Sequence, residues 1–315
     1  MPDVWKAAVK PHPIAILCAD IHLSLTAPPA RASEPDWFQA MARPLRELNN
    51  LAKEYKVPIL CAGDVFDKWD AKPELINFAL EHLPPMYAVP GQHDLPYHAG
   101  ADVHKSALGV MVKVDRVKLL SPTKPVLIRG AYVWGFGWGE EIRPGYSITG
   151  EITPSALCVA IVHAYCWRPG SQHTGASENA HVNKFREKLK GYQVGVFGDN
   201  HRGFLDEGEQ LTLFNCGGFM RRKSDEDWRK PMVGILYSNS RVRTHRLNTE
   251  DEKMDITSDT LKKEKENTEI NEFVQGLAQL ESQPFDFASA VKHYLETNTV
   301  SEGTYKILLS AIAHK

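Results

Sequence analysis

The sequence predicts an α/β protein in which two packed sheets lie between flanking helices, followed by a small helical appendage. Three observations predict it. Short apolar runs alternate with amphipathic segments in the first part of the chain, and strand-like segments dominate from residue 125 onward. From about residue 249 the composition turns to charge, and three short amphipathic stretches follow. Alternating strands and helices that give way to consecutive strands fit two sheets packed together.

The first apolar run, 14–19 (IAILCA), reads as a strand buried on both faces. Ser33 and Asp36 form an S-x-x-D capping pattern ahead of a helix whose stripe is Trp37, Met41, Leu45, Leu48 and Leu51/Ala52. A strand at 58–62 closes a β-α-β unit, and Pro73 opens a helix over 73–82. The third strand, 86–90, runs into GQHD, and 102–114 reads as helical. Further strands are expected at 126–129, 131–136, 156–162, 193–197, 210–215, 232–238 and 241–246. Residues 249–268 read as a charged linker. The helical region 269–315 then carries three apolar faces: Ile270, Phe273, Val274, Leu277 and Leu280; Phe285, Phe287, Val291, Tyr294 and Leu295; and Tyr305, Leu308, Leu309 and Ile312.

At 315 residues the chain has room for one large domain and an appendage, at roughly 150 residues per domain. An apolar share of 43% with 24% charged residues suits a folded, water-soluble chain rather than a disordered one. No apolar run approaches the roughly 18 residues of a membrane span. The segment MPDVWKAAVKPHP lacks a secretory pattern, so a cytoplasmic location and no membrane partner are expected. Cys18, Cys61, Cys158, Cys166 and Cys216 are scattered without a CxxC pair and read as free, buried thiols. A net charge of −2 gives no overall electrostatic footprint for nucleic acid, so any such contact must use a local patch or bound cations.

Five short motifs stand where apolar runs stop: Asp20-Ile21-His22, Gly63-Asp64-Val65-Phe66-Asp67, Gly91-Gln92-His93-Asp94, His163, and Gly198-Asp199-Asn200-His201. Each alone arises often by chance. Together they change the reading, because ligands of open α/β sheets bind at the carboxyl ends of strands. Clustered carboxylates are costly to bury without positive charge, which two divalent cations would supply. The mixture of imidazole and oxygen donors suits manganese, iron or zinc.

Taken together and spanning 20–201, these motifs resemble the pattern D-x-H, G-D-x-x-D, G-N-H-D, H and G-H-x-H of the calcineurin-like metallophosphoesterases. Within that superfamily the chain is most similar to SbcD-type DNA repair exonuclease subunits, including phage-encoded relatives. The segment Asn-Cys-Gly-Gly-Phe-Met-Arg-Arg (215–222), followed by a helical tail, adds to that likeness. The resemblance implies a four-layer α/β/β/α sandwich of two mixed sheets, with a catalytic domain over 1–248. It also implies a two-metal phosphodiesterase acting on DNA. Asp20, His22 and His201 would hold the first metal, Asp64 would bridge, and Gln92, His163 and Asp199 would complete the second site. His93 would be the general acid and Asp94 would orient it. An SMC-like ATPase would dock on the C-terminal helices, and a homodimer is compatible with the same reading.

Two positions depart from the family pattern. Gln92 stands where Asn is usual, and Asp199 where the first His of G-H-x-H is usual. An added carboxylate hardens the second site and favours manganese or magnesium over zinc, or leaves that site weak. The rival readings are a phosphomonoesterase or nucleotide pyrophosphatase on the same scaffold, and an interaction protein with a degenerate second site. Asp67-Lys68-Trp69 replaces the V-D-R-G expected of protein Ser/Thr phosphatases, which ranks that class low. Arg221, Arg222 and Lys223 form a compact basic cluster that would meet a phosphate backbone or lie in a solvated loop. Trp69 and Trp138 would stack on bases or pack locally.

Overall fold

The computed structural model describes residues 10–145, 156–173, 175–257, 260–262, 264–265, 295 and 300–313. Two compact units emerge, the larger comprising residues 1–26, 36–221 and 229–252.

This larger unit is built on two six-stranded mixed sheets. The first contains β1 (Pro13–Cys18), β2 (Ile59–Cys61), β3 (Met86–Ala88), β4 (Val117–Leu119), β11 (Met232–Tyr237) and β12 (Val242–Arg246). Its order is β12-β11-β1-β2-β3-β4, and β1 to β4 run parallel. The second contains β5 (Val126–Ile128), β6 (Ala131–Phe136), β7 (Leu157–His163), β8 (Val194–Gly198), β9 (Phe204–Glu207) and β10 (Thr212–Asn215). Its order is β5-β6-β7-β8-β10-β9, with β6, β7, β8 and β10 parallel.

Alternation along the strands explains the layering. Val159, Ile161, Val194 and Val196 point inward to meet Ile14, Leu17, Leu60 and Val89 of the first sheet. Their neighbours Ala160, Val162 and Phe197 face outward with Trp134 and Phe136, covered by α4 (Val182–Lys188) through Val182 and Phe185. A strand buried on both faces reads as a continuous apolar run for this reason. Each large aliphatic side chain so buried contributes about 1.5–3 kcal/mol.

On the first sheet, α1 (Trp37–Tyr55) packs against β1 and against α2 (Pro73–His82). Its expected stripe is buried at Trp37, Met41, Leu45, Leu48 and Leu51. The cap is Asp36, whose carboxylate accepts from the Gln39 N–H at 3.0 Å, and not Ser33. Pro44 lies inside this helix, where the lost backbone hydrogen bond is offset by the burial of the stripe. Lys56 ends the helix in the left-handed conformation at φ 53°.

The expected helix over 102–114 divides into a 3-10 segment, Gly100–Lys105, and α3 (Ala107–Lys113). Ser106 makes the break: it has extended backbone and its hydroxyl accepts from the Gly109 N–H. Strands β4 and β9 and helix α4 were not anticipated, being short or flanked by polar residues.

The smaller unit comprises residues 27–35, 222–228 and 253–315. Within it the Glu264 carboxylate accepts from the Ser224 N–H at 3.0 Å, and the Asp255 N–H donates to the Ala30 carbonyl at 2.7 Å. Its described helix, α5 (Glu302–Ala313), buries Leu308 and exposes Tyr305 and Leu309 of the expected stripe. The expected faces over 270–294 lie outside the described residues.

The capping geometry predicts that Asp36→Ala lowers unfolding free energy by about 1 kcal/mol. Ser33→Ala should stay within about 0.5 kcal/mol of the parent. Urea unfolding midpoints of the two variants, compared side by side, check this.

Candidate metal centre

The strand ends of both sheets deliver the expected residues to one place. Beyond β1 and β2 the chain stays paired: the N–H groups of Asp20, His22 and Leu23 donate to the carbonyls of Gly63, Asp64 and Val65 at 2.9–3.0 Å. Asp20, His22 and Asp64 hold left-handed backbone at φ 50–53°, and Asp199 at φ 75°. Asp and His tolerate this region better than most residues, yet each such position carries a cost of about 1–3 kcal/mol. Strain gathered at residues of one cluster marks a functional constraint.

Among the described residues three groups of possible ligands result, each with ligand atoms mutually within 4.8 Å: Asp20, His22 and His201; Asp20, Asp64 and His163; and His22, Asp67 and His93. Asp20 belongs to two of them. Asp64 lies between the first two, its Oδ2 3.7 Å from His22 Nε2 and 3.5 Å from His163 Nε2. Asp67, to which the sequence reading assigned no role, joins the third, with Oδ1 3.5 Å from His22 Nδ1. The second acid of Gly63-Asp64-Val65-Phe66-Asp67 was the available signal.

Gln92 and Asp199 stand beside the second group and are joined directly. Gln92 Nε2 donates to Asp199 Oδ1 at 2.7 Å, while Gln92 Oε1 lies 2.6 Å from His163 Nε2. The Asp199 N–H also donates to Asp20 Oδ1 at 2.9 Å. The two departures from the family pattern therefore form one polar chain with His163.

The imidazoles are held in defined tautomers. His163 Nδ1 lies 2.6 Å from the Ala62 carbonyl, and His93 Nδ1 2.9 Å from the Asp67 carbonyl. A carbonyl only accepts, so each Nδ1 carries hydrogen; Nε2 of His93 is then turned to the centre, while Nε2 of His163 meets the acceptor Gln92 Oε1. Backbone partners of this kind cannot be read from residue types.

The expected role of Asp94 as orienter of His93 is corrected. Its carboxylate accepts from the N–H groups of Val65, Phe66 and Gly91 at 2.9–3.2 Å, which ties the second and third motifs together. Burial, reinforced by repulsion from Asp64, pushes its pKa up to about 6. Arg221 is corrected too. It is buried, and its Nε pairs with Glu252 at 2.6 Å, while Arg222 and Lys223 belong to the smaller unit. Trp69 and Trp138 are half-buried against Tyr97 and His163, with ring centroids 6.0 and 6.3 Å apart. The 215–222 segment frames the site through backbone, since the N–H groups of Gly218 and Phe219 donate to the carbonyls of His201 and Asp20.

Electrostatics favour a cation at this cluster. Burial drives the Asp20 carboxyl well above its ordinary pKa, with Asp64 adding repulsion. Burial acts likewise on Asp64, but the His163, His22 and His93 imidazoles outweigh it and hold that carboxyl below the usual range. Burial lowers His163, and Asp64 more than reverses this, raising it to about 10. Even so, Oδ2 of Asp20 and Oδ2 of Asp64 are buried without a hydrogen-bond partner. Buried carboxylate oxygens in that condition are expensive, and a divalent ion satisfies them. The Nε2 atoms of His22 and His201 lie 3.1 Å apart. Two nitrogens bound to one cation at about 2.0–2.1 Å would be about 2.9–3.4 Å apart. The residues present thus fit a divalent metal site.

Two mixed sheets flanked by helices form an α/β metallophosphoesterase fold, with this carboxylate and imidazole cluster at the strand ends. Residues 15–150 match the calcineurin-like phosphoesterase family model, a stretch that carries Asp20, His22, Asp64, Gln92, His93 and Asp94. Over that stretch the chain is similar to the calcineurin-like phosphoesterases, hydrolases that act on ester bonds.

Solved structures with a similar fold include an archaeal phosphodiesterase (13% identity, 74% of this chain, 99% of that one, TM-score 0.39). Another is the protein TT1561 of Thermus thermophilus (14% identity, 75% and 100%, TM-score 0.44). A candidate 5'-nucleotidase from Staphylococcus aureus shares 13% identity over 80% of this chain and 57% of that one, with a TM-score of 0.46. No curated protein matches the chain.

Gly63 is required at the centre, because a Cβ there would lie 2.2 Å from His163 Nδ1 and its φ is +93°. Gly63→Ala should displace His163 from the Ala62 carbonyl and weaken divalent-metal binding by about 10–100-fold. Titration calorimetry of parent and variant with manganese measures the difference.

Proposed function

We propose that the chain is a manganese-dependent phosphodiesterase that holds two metal ions and cleaves DNA. The observation that carries the reading is the pair of buried, unsatisfied oxygens, Asp20 Oδ2 and Asp64 Oδ2, set among His22, His163 and His201. Two overlapping ligand groups support two ions, with Asp20, His22 and His201 around one and Asp64, His163, Gln92 and Asp199 around the other. The second group is rich in oxygen donors, which favours manganese or magnesium over zinc.

Divalent cations bound there supply the positive charge that activates an attacking water and offsets the charge on the phosphoryl oxygens. The chain's own residues do the rest. Asp20 and Asp64 fix the spacing of the two groups. His93 presents Nε2 beside His22, with ring centroids 5.0 Å apart, and donates its proton to the departing oxygen. The Asp67 carbonyl accepts from Nδ1–H and fixes the ring, and the proton transferred is the one on Nε2 of the doubly protonated imidazole.

A singly charged diester suits the surroundings better than a dianionic monoester, because Glu140, Glu141 and Asp199 outnumber Lys188 around the adjoining cavity. The likeness of the 215–222 segment to SbcD-type nucleases supports DNA as the polymer.

With manganese present, labelled duplex, single-stranded DNA and bis(p-nitrophenyl) phosphate should be cleaved, and p-nitrophenyl phosphate spared. Chelator and Asp64→Ala should each abolish cleavage, and metal analysis should find two ions per chain. Turnover of the monoester alone would overturn the nuclease reading, and full activity of Asp64→Ala under chelator would remove the metal mechanism. His93→Gln should lower kcat by about 10²–10⁴-fold with metal content unchanged.

A further inference from the structure

A cavity of about 670 Å³ opens on the His163 and Asp199 side of the centre. Sites for compact organic ligands run from about 300 to 1,000 Å³, so it can take far more than the reacting phosphate. Its walls are partly aromatic. The Trp138 N–H donates to the Pro90 carbonyl at 2.9 Å, two residues before Gln92, and its ring stands edge-on to His163. The turn around it is closed where the Gly137 N–H donates to Glu140 Oε2 at 2.6 Å. Tyr165, two residues beyond His163, packs on His173 at 4.6 Å between ring centroids, and its hydroxyl accepts from the His173 N–H. Ile142 adds an apolar face, while the exposed Glu140 and Glu141 place carboxylates on the lining.

We propose that this cavity receives the nucleobase of the nucleotide whose phosphate lies at the metal centre, an assignment that rests on the phosphodiesterase reading. A base is flat and uncharged. It matches aromatic walls through stacking, which tolerates any base because every base has a π-face. Exocyclic amines of a base are donors that carboxylates such as Glu141 accept. The same carboxylates repel phosphate, so a polynucleotide backbone does not continue through the cavity. The cavity therefore takes one terminal or unpaired nucleotide rather than the interior of a duplex.

The test compares two diesters with the same leaving group, thymidine 5'-(p-nitrophenyl phosphate) and methyl p-nitrophenyl phosphate, in the manganese-loaded full chain. The thymidine ester should have kcat/KM at least about tenfold higher, as stacking of one base implies. Trp138→Ala should reduce this ratio to about twofold or less, and Trp138→Phe should keep most of it. Trp138→Leu retains apolar bulk without a stacking face and should behave as Trp138→Ala, which covers a poorly folding alanine variant. Equal efficiency on the two esters, or a ratio indifferent to all three substitutions, overturns the base site and leaves the phosphodiesterase reading intact. Failure to hydrolyse either ester removes both.

Discussion

Two buried carboxylates, Asp20 and Asp64, share one ligand cluster, and neither side chain retains meaningful contact with water. Leaving water costs each ion several kcal/mol, and their mutual repulsion adds to it. Much of the local structure serves to hold the two acids in place against that cost. Strands β1 and β2 are parallel neighbours in register, so the two loops that follow them can zip together backbone to backbone. The left-handed turns at Asp20, His22 and Asp64 aim the side chains back toward the centre. Gly91 makes room, since a Cβ there would meet Asp64 Oδ1 at 2.0 Å. Asp94 then clamps the loops through three backbone N–H groups. An acid in the position of an active residue is in fact a strut.

The two halves of the centre are chemically unlike. Around His22 and His201 the donors are mostly imidazole, whereas around His163 they are mostly oxygen, from Asp64, Asp199 and the Gln92 amide. His163 sits between the Ala62 carbonyl and Gln92 Oε1, two acceptors, and in that setting it carries the positive charge that a cation would otherwise bring. Metal and proton thus compete for the same carboxylates, which is how metal binding becomes coupled to protonation in such sites. The direct bond between Gln92 and Asp199 gives the two substitutions a joint meaning. The longer amide reaches across to the carboxylate and orients it, so neither position is a free variable.

The sheets were legible because burial on both faces leaves an unambiguous mark. CVAIV before His163 and QVGVF before Gly198 could be strands of nothing but an interior sheet. Val117–Leu119 and Phe204–Glu207 were missed because each is three or four residues long, with an exposed or half-buried polar residue inside it. Ser33 misled because an S-x-x-D pattern does not say which of its two capping residues the helix uses. The ligand residues were readable as types at strand ends. Their supports were not: the carbonyls of Ala62 and Asp67 are contributed by backbone, which carries no signature. Asp94 was placed in the wrong role for the same reason, since its partners are amide N–H groups.

The charge distribution bears on how a polyanion could approach such a protein. Net charge is slightly negative, the cavity lining is acidic, and Arg221 is committed to Glu252. Long-range attraction from the protein alone is therefore weak, and the strongest positive charges near the reacting phosphate would be the bound ions themselves. A site organised in this way gains affinity at the one phosphate that reacts and little along the flanking backbone. Selectivity must then come from what fits beside that phosphate. Under the proposed reading a flat group would fit against Trp138 and Tyr165, and another phosphate would be repelled by Glu140 and Glu141. On the proposed nuclease reading, Asp20 and Asp64 would draw the reacting phosphate through their cations, while Glu140 and Glu141 would narrow which part of the substrate can lie next to it.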